Sequence, residues 1–186
     1  MPSTVLETFE AHRSKLIGLA YRITGSIAEA EDIAQETFLK WADADHKAIQ
    51  SPYSWLVTVA TRMALDHLKS ARVQREAYIG PWLPEPLIAD NETPENKHEL
   101  DESITMALLV LLERLSPGER ASFILHDLFH FNFDEVGEIL DKTGGSCRKL
   151  ASRAREKIDK DAVQYNPNKE DHLEIVSAFF GAVKKR

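Results

Sequence analysis

The first forty residues place apolar side chains at the spacing of two consecutive helices. Apolar residues recur at i, i+3, i+4 and i+7 over Leu16–Ile23, which predicts an amphipathic helix. The same period resumes after Gly25 and continues for three turns, which predicts a second helix. Ser26 and Glu29 fit a capping box, in which each side chain binds a free backbone N–H group of the other residue. Each helix therefore has one apolar face to bury.

A third helix is predicted to begin at Ser51-Pro52. Ser51 suits the N-cap, and Pro52 suits the first helical position, where its missing N–H group costs nothing. The predicted buried stripe comprises Leu56, Val59, Ala60, Met63 and His67. The opposite face carries Thr58, Arg62, Asp66, Lys69 and Arg72. The basic side chains of this helix therefore share one face.

Residues 78–94 form a predicted linker, because four prolines and Gly80 disfavour a continuous helix or strand there. The linker also contains several large apolar side chains, so we expect it to dock on a protein surface rather than to remain solvated. A helix is predicted to follow over residues 104–115. The run Ser116-Pro117-Gly118-Glu119 then starts another helix, which should continue through Phe129.

The last predicted pair of helices resembles a DNA-binding motif. Asn132 suits the cap of a short helix over Phe133–Leu140, and Thr143 suits the cap of the next helix after a turn at residues 141–143. The buried stripe of that last helix comprises Cys147, Leu150, Ala151, Ala154 and Ile158, and its outer face is basic. A short helix, a tight turn and a basic amphipathic helix make the helix-turn-helix pattern, whose second helix enters the major groove.

The composition fits an ordinary all-α globular protein. The chain has 186 residues, of which 43% are hydrophobic and 28% charged, so one domain or two small ones are expected. The single cysteine, Cys147, cannot form an intramolecular disulfide. Neither a signal peptide nor a long apolar run is present, so we expect a cytoplasmic protein and no membrane association.

The net charge of −7 conceals two basic islands. Residues 61–75 carry four basic side chains against one acidic, and residues 142–160 carry seven against two. Between them, residues 76–102 carry eight acidic side chains against one lysine. The two basic islands predict two surfaces for anionic ligands on one chain.

The sequence gives little indication of catalysis. His126 and His130 have the i, i+4 spacing of paired metal ligands, but no carboxylate or cysteine completes a known motif. Glycine-rich nucleotide loops, Ser/His/Asp sets and paired catalytic carboxylates are also missing. We therefore expect a protein that is not an enzyme and that needs no metal and no cofactor.

Three linked segments resemble one family. DIAQETFLKWADA, then SPYSWLVTVATRMALDHLKSARVQRE and then FNFDEVGEILDKTGGSCRKLASRAREKI are similar to extracytoplasmic-function (ECF) sigma factors, the promoter-recognition subunits of bacterial RNA polymerase. The linker YIGPWLPEPL resembles that of the subgroup whose sigma module precedes a SnoaL-like domain. The tail HLEIVSAFFGAVKKR resembles the first helix of that domain.

The resemblance implies four segments. Residues 1–75 would be sigma region 2, residues 76–102 the acidic linker, residues 103–162 the region 4 helix-turn-helix, and residues 163–186 the start of the SnoaL-like extension. About 20 residues remain after Asn166, too few for a SnoaL-like core. The chain is thus expected to carry only the beginning of a regulatory domain that acts through the linker. An anti-sigma factor is the other candidate regulator.

The resemblance also implies which residues make the contacts. The polymerase core would be bound through its β′ clamp coiled coil and β flap, with the clamp contacted by Asp32, Gln35, Glu36, Phe38, Leu39 and Trp41. The minus-10 element would be opened and held by Tyr53, Ser54, Trp55, Arg62, Asp66, Lys69 and Arg72. The minus-35 element would be read by Ser146, Arg148, Lys149, Ser152 and Arg153, with Arg155 at the phosphates. The regulatory linker residues would be Tyr78, Gly80, Pro81, Trp82, Leu83, Pro84, Glu85 and Pro86.

One position departs from the family pattern, and two other functional classes explain less of the sequence. Many members have Asn where this chain has Arg62, so the identity of the recognised minus-10 bases is open. A free-standing helix-turn-helix regulator would explain only residues 132–160. A small enzyme built on the SnoaL-like tail would need an enclosed pocket that this chain is too short to form.

Overall fold

The structure is a computed structural model that describes residues 3–75, 109 and 111–164, with side chains for residues 5–70, 109 and 111–160. Every regular element in this part of the chain is helical, which confirms the predicted all-α class. The helices are α1 (Ser3–Thr24), α2 (Ile27–Ala42), α3 (Pro52–Arg75), α4 (Pro117–Phe123), α5 (Phe133–Leu140) and α6 (Gly144–Gln164). A π-helical turn, Ile124–Leu128, extends α4.

The first module packs α1, α2 and α3 against one another. The predicted stripe of α1 is fully buried, and so is the stripe of α2 around Ala30 and Ile33. The buried face of α3 is shifted from the predicted one. Leu56 and Ala60 are buried as predicted, whereas Val59, Met63 and His67 are only half-buried. Their places in the core are taken by Val57, Thr61 and Ala64. The opposite face of α3 remains exposed at Arg62, Asp66 and Lys69.

Side-chain caps start α2 and α3 where the sequence predicted. The Glu29 N–H donates to Ser26 Oγ at 3.5 Å, and the Ser54 N–H donates to Ser51 Oγ at 3.3 Å. The predicted return bond of the first capping box keeps its donor but has a different acceptor. The Ser26 N–H donates to Thr24 Oγ1, while the Glu29 carboxylate lies 3.0 Å from Nδ1 of His67 on α3. Glu29 therefore joins two helices instead of closing its own cap.

The second module begins with the capping box predicted at Ser116, and both of its bonds are present. The helix predicted to continue through Phe129 stays helical to Leu128, but its last turn is π-helical, because the Phe129 N–H bonds to the Ile124 carbonyl, five residues back. The chain then leaves the helix at His130, which has a left-handed φ of 62°. The wider turn carries the Asp127 carboxylate that binds Arg155 of α6.

The helix-turn-helix pair forms as the sequence predicted. Asn132 caps α5 in a complete capping box with Glu135, and Thr143 Oγ1 accepts from the Ser146 N–H at the start of α6. Between them, Asp141 adopts a left-handed conformation with φ of 54°. The turn needs Gly137, since a Cβ atom there would lie 2.6 Å from the Lys142 carbonyl oxygen.

Two arginines join the modules by binding the carboxyl ends of helices across the interface. Arg120, which is buried, donates from Nη1 to the Ile23 carbonyl of α1 at 2.7 Å. Arg62 of α3 donates to the Glu138 and Ile139 carbonyls of α5, each at 3.0 Å. These carbonyls lie in final helical turns and have no partner within their own helices. Each module thus supplies hydrogen-bond donors to the carbonyls at a helix end of the other module.

Several sequence predictions fall outside the described residues. They include the linker around Trp82, the side chain of Arg72 and the SnoaL-like extension. Across residues 3–75, 109 and 111–164, no helix has both the length and the apolar character needed to cross a bilayer.

Glu119 is a buried carboxylate that ties α4 to α6. Its Oε2 accepts from the Ser116 N–H at 2.9 Å and from Lys157 Nζ at 2.7 Å. Burial alone would raise the pKa of Glu119, but the hydrogen bonds and charge of Lys157, with the bonds to Ser116, outweigh it and lower the pKa. The ionised form is therefore the form that stabilises the fold.

We expect Glu119→Gln to lower the free energy of unfolding by roughly 1 kcal/mol at neutral pH, since Lys157 is partly exposed. A lowered native pKa gives stability that is full above the ordinary glutamate pKa and is lost as the pH falls through the native value. The difference from the parent should therefore shrink below about pH 4. Urea unfolding across this range checks it, with exposed Glu156→Gln as the control. A pH-independent difference would contradict this account.

Candidate nucleic-acid and polymerase interfaces

The outer face of α6 is basic and open to solvent. Arg148, Lys149, Ser152 and Arg153 are all exposed, while Cys147 and the alanines of the same helix are buried beneath them. Burial raises the pKa of the Cys147 thiol, so this cysteine acts as a small apolar group. The helix therefore presents a row of polar and cationic groups to solvent, and an α-helix is narrow enough to enter the major groove of DNA.

Three of the residues predicted at the minus-35 element, Arg155, Ser146 and Arg148, already contact other side chains. Nε and Nη2 of Arg155 donate to the Asp127 carboxylate at 2.8–3.0 Å, so Arg155 holds the π-helical turn against α6. The Ser146 hydroxyl lies 2.8 Å from that of Thr143, within the cap of α6. The Arg148 guanidinium lies 5.2 Å from the centroid of the Phe133 ring. The freest cations on this face are Lys149 and Arg153.

The predicted minus-10 face of α3 is turned toward the second module. Arg62 binds the end of α5, as described above, and Lys69 Nζ lies 3.0 Å from Asp66 in an exposed pair. Lys69 also lines a cleft whose other wall includes Arg153 of α6. The two faces predicted to bind different promoter elements thus lie next to each other.

The two aromatic residues at the start of α3, Tyr53 and Trp55, are packed rather than free. The Tyr53 ring stacks on Phe131 of the second module with centroids 5.8 Å apart, and burial raises the pKa of Tyr53. The Trp55 ring is half-buried with its centroid 5.4 Å from that of Trp41. Ser54 lies in the cap of α3, where its hydroxyl accepts from Ser51. In this arrangement, Tyr53 is covered from the side of the second module.

The outer face of α2 has the mixed character predicted for a docking surface. Asp32, Gln35 and Glu36 are exposed, and Leu39 is 61% exposed, which is unusual for a large apolar side chain. Phe38 and Trp41 were predicted on the same surface, but the structure assigns them to packing. Phe38 packs on Phe9 at 4.9 Å, and Trp41 is 3% exposed with its indole N–H bound to the Val5 carbonyl. Both side chains pack against α1, on the side of α2 away from the exposed face.

Sequence reasoning missed the buried Arg120 and the Asp127–Arg155 pair. Arg120 directly follows the acidic Glu119, and no pattern in the sequence indicated that its side chain is buried. His126, weighed as a metal ligand, instead stacks on Phe133 at 3.9 Å and contacts the Phe131 carbonyl. Among the side chains that the structure describes, no group of three or more His, Cys, Asp or Glu residues is arranged to hold a metal.

Family models match both modules. Residues 8–73 match Sigma-70 region 2, and residues 105–158 match Sigma-70, region 4. The ECF RNA polymerase sigma factor SigJ of Mycobacterium tuberculosis is 45% identical over 152 residues, which cover 81% of this chain and 48% of the relative. The probable ECF RNA polymerase sigma factor SigI of the same species is 34% identical over 180 residues, which cover 96% and 62%. The chain thus spans about half to three fifths of these relatives.

Solved structures agree with this match. The crystal structure of Mycobacterium tuberculosis SigJ superposes with a TM-score of 0.64 and 38% identity, covering 95% of this chain and 58% of SigJ. The sigma factor RpoE of Bartonella quintana, solved in complex with the anti-sigma factor NepR, gives a TM-score of 0.61 at 19% identity. It covers 84% of this chain and 92% of RpoE, and it supports the fold alone. The chain belongs to the ECF sigma factors of the sigma-70 family.

Proposed function

We propose that this protein directs bacterial core RNA polymerase to specific promoters and helps to open them. The observation that carries the proposal is the pairing, on one chain, of the exposed acidic face of α2 with the exposed basic face of α6. A free-standing helix-turn-helix regulator would have no use for the first face. The proposed partners are the polymerase core, through its β′ clamp and β flap, and promoter DNA. The protein would act in the cytoplasm without catalysing a reaction itself.

The proposed contacts follow from exposure and charge. Asp32, Gln35, Glu36 and Leu39 would bind the β′ clamp, with the apolar Leu39 as the anchor of a polar surface. Arg148, Lys149, Ser152 and Arg153 would read the minus-35 element. Tyr53, Trp55, Arg62, Lys69 and Arg72 would hold the minus-10 element, because aromatic stacking beside cations suits unpaired bases.

In this structure the two modules lie against each other, which we call the closed arrangement. In the closed arrangement they cannot bind both promoter elements at once. By their names, the minus-10 and minus-35 elements lie about 25 base pairs apart, or roughly 85 Å along B-form DNA. Lys69, assigned to one element, and Arg153, assigned to the other, line the same cleft. We therefore propose that the modules separate when the polymerase binds, which frees Arg62 and Tyr53.

Control by the C-terminal extension remains a proposal, as does an anti-sigma partner. The anti-sigma partner is proposed by analogy, because RpoE, a protein of the same fold, was solved in complex with the anti-sigma factor NepR. The linker residues that the family resemblance assigns to self-regulation lie outside the described part of the chain.

Run-off transcription with purified core polymerase and a library of random promoter fragments tests the proposed function. Defined start sites should appear only when this protein is added, and the aligned fragments should contain two common elements. Binding of the core with no redirected initiation, or no binding at all, would overturn the proposal. Tight binding to a DNA operator without polymerase would instead favour the regulator.

Arg153→Ala should weaken minus-35 recognition by about 1 to 3 kcal/mol, because an exposed arginine on this face suits a bidentate contact with guanine. The loss should be large on the preferred minus-35 sequence and small on promoters altered there. Transcription from both promoter types measures it, with exposed Lys160→Ala at the end of α6 as the control. A uniform loss would reduce Arg153 to a phosphate contact.

Arg62→Ala should shift the chain toward separated modules, since two helix-end carbonyls of α5 lose their donor. The two bonds are expected to contribute about 1 to 3 kcal/mol to closure, so the radius of gyration from small-angle X-ray scattering should rise while helix content stays the same. Arg13→Ala, at an exposed site on α1, is the matched control. An unchanged scattering curve would show that Arg62 does not hold the modules together.

A further inference from the structure

A cationic cleft of about 570 Å³ lies between the two modules. Lys69 of α3 contributes one wall, and Lys142, Lys149 and Arg153, from the turn before α6 and from α6 itself, contribute the other. All four side chains are exposed enough to reach a ligand in the cleft. No acidic side chain is among the described residues that line it.

Most of this positive charge is uncompensated. Lys69 pairs with Asp66, but within the described side chains Lys142, Lys149 and Arg153 have no carboxylate at ion-pair distance. Three cations around one cavity repel one another, and a ligand with several negative charges would relieve that repulsion. A singly charged anion would neutralise only part of it.

The cleft also has an apolar lining. Leu65 of α3, Leu140 at the end of α5 and Leu150 of α6 line it together with the cations. Its volume lies within the range typical of small-molecule sites, which combine apolar walls with a few charged groups. The best match is a ligand with a polyphosphate chain and a planar or apolar body.

We propose that this cleft binds a small polyphosphorylated ligand of the nucleotide class. The phosphates would lie among Lys142, Lys149 and Arg153, with Lys69 facing them from α3, and the body would lie against the leucines. Because both modules supply walls, the complete site exists only in the closed arrangement. A free small ligand fits that space, whereas a promoter duplex would require the modules to separate.

A ligand held by both walls would stabilise the closed form, since it binds that form better than the open one. This regulatory consequence rests on the proposed function, because it makes the ligand a competitor of promoter binding. Binding itself does not depend on the function. Failure to direct transcription would therefore leave the site intact.

Titration calorimetry with tripolyphosphate and with ATP, on the full 186-residue chain at low salt, tests the site. Lys142→Gln is the key variant, because Lys142 lines the cleft but is not among the proposed promoter contacts. It should weaken binding of both probes by about two- to five-fold, the size expected for one exposed charge pair. Exposed Lys47→Gln, between α2 and α3, removes the same charge outside the cleft and should leave binding unchanged.

A second pair of measurements separates this site from a general basic surface. Arg62→Ala should also weaken tripolyphosphate binding, although Arg62 does not line the cleft, because the two walls would come apart. Lys142→Gln should leave binding of a short random-sequence DNA duplex unchanged. The proposal is overturned if neither probe binds, if Lys142→Gln and the parent bind alike, or if duplex DNA binds and tripolyphosphate does not.

Discussion

The arrangement of this protein depends on how helix ends are satisfied across a module boundary. The last carbonyls of any helix lack intrahelical donors, and burying them unpaired is costly. Here Arg120 supplies a donor to α1, and Arg62 supplies donors to α5. Because each arginine comes from the opposite module, neither module satisfies all of its own backbone groups. Separation of the modules must therefore be compensated by water or by a partner.

The same exchange explains why surfaces proposed for promoter contact lie against each other. Arg62 offers a planar set of donors that suits a carbonyl pair as well as a nucleic acid. Tyr53 stacks on Phe131 in the way that an aromatic ring can stack on a base. The closed form thus uses the binding chemistry of these residues internally. The cations of α3 and α6 that are proposed to bind different promoter elements likewise line one cleft.

The sequence predicted local structure well and contacts between modules poorly. The caps at Ser51, Ser116, Asn132 and Thr143 depend on neighbours within three residues, so residue type and spacing were sufficient. The bonds from Arg120 to Ile23 and from Arg62 to Ile139 join residues 97 and 77 positions apart. They depend on how two finished modules meet, and the helical period of a sequence carries no information on that. Trp41 differs, because its helical spacing placed it in the buried stripe of α2, where it packs, and only the family resemblance assigned it to the outer face.

The π-helical turn at Ile124–Leu128 has a consequence for how this chain tolerates changes in length. One wide turn accommodates one residue more than an α-helical path between the same ends. Deleting a single residue there would restore α-helical geometry and leave the segments before and after it in the same register. Glu119 and Arg120 would then keep their orientation toward Lys157 and Ile23. A relative one residue shorter at this point could therefore keep the residues that join α4 to α6 and that join the two modules, whereas a deletion elsewhere in α4 would rotate them by about 100°.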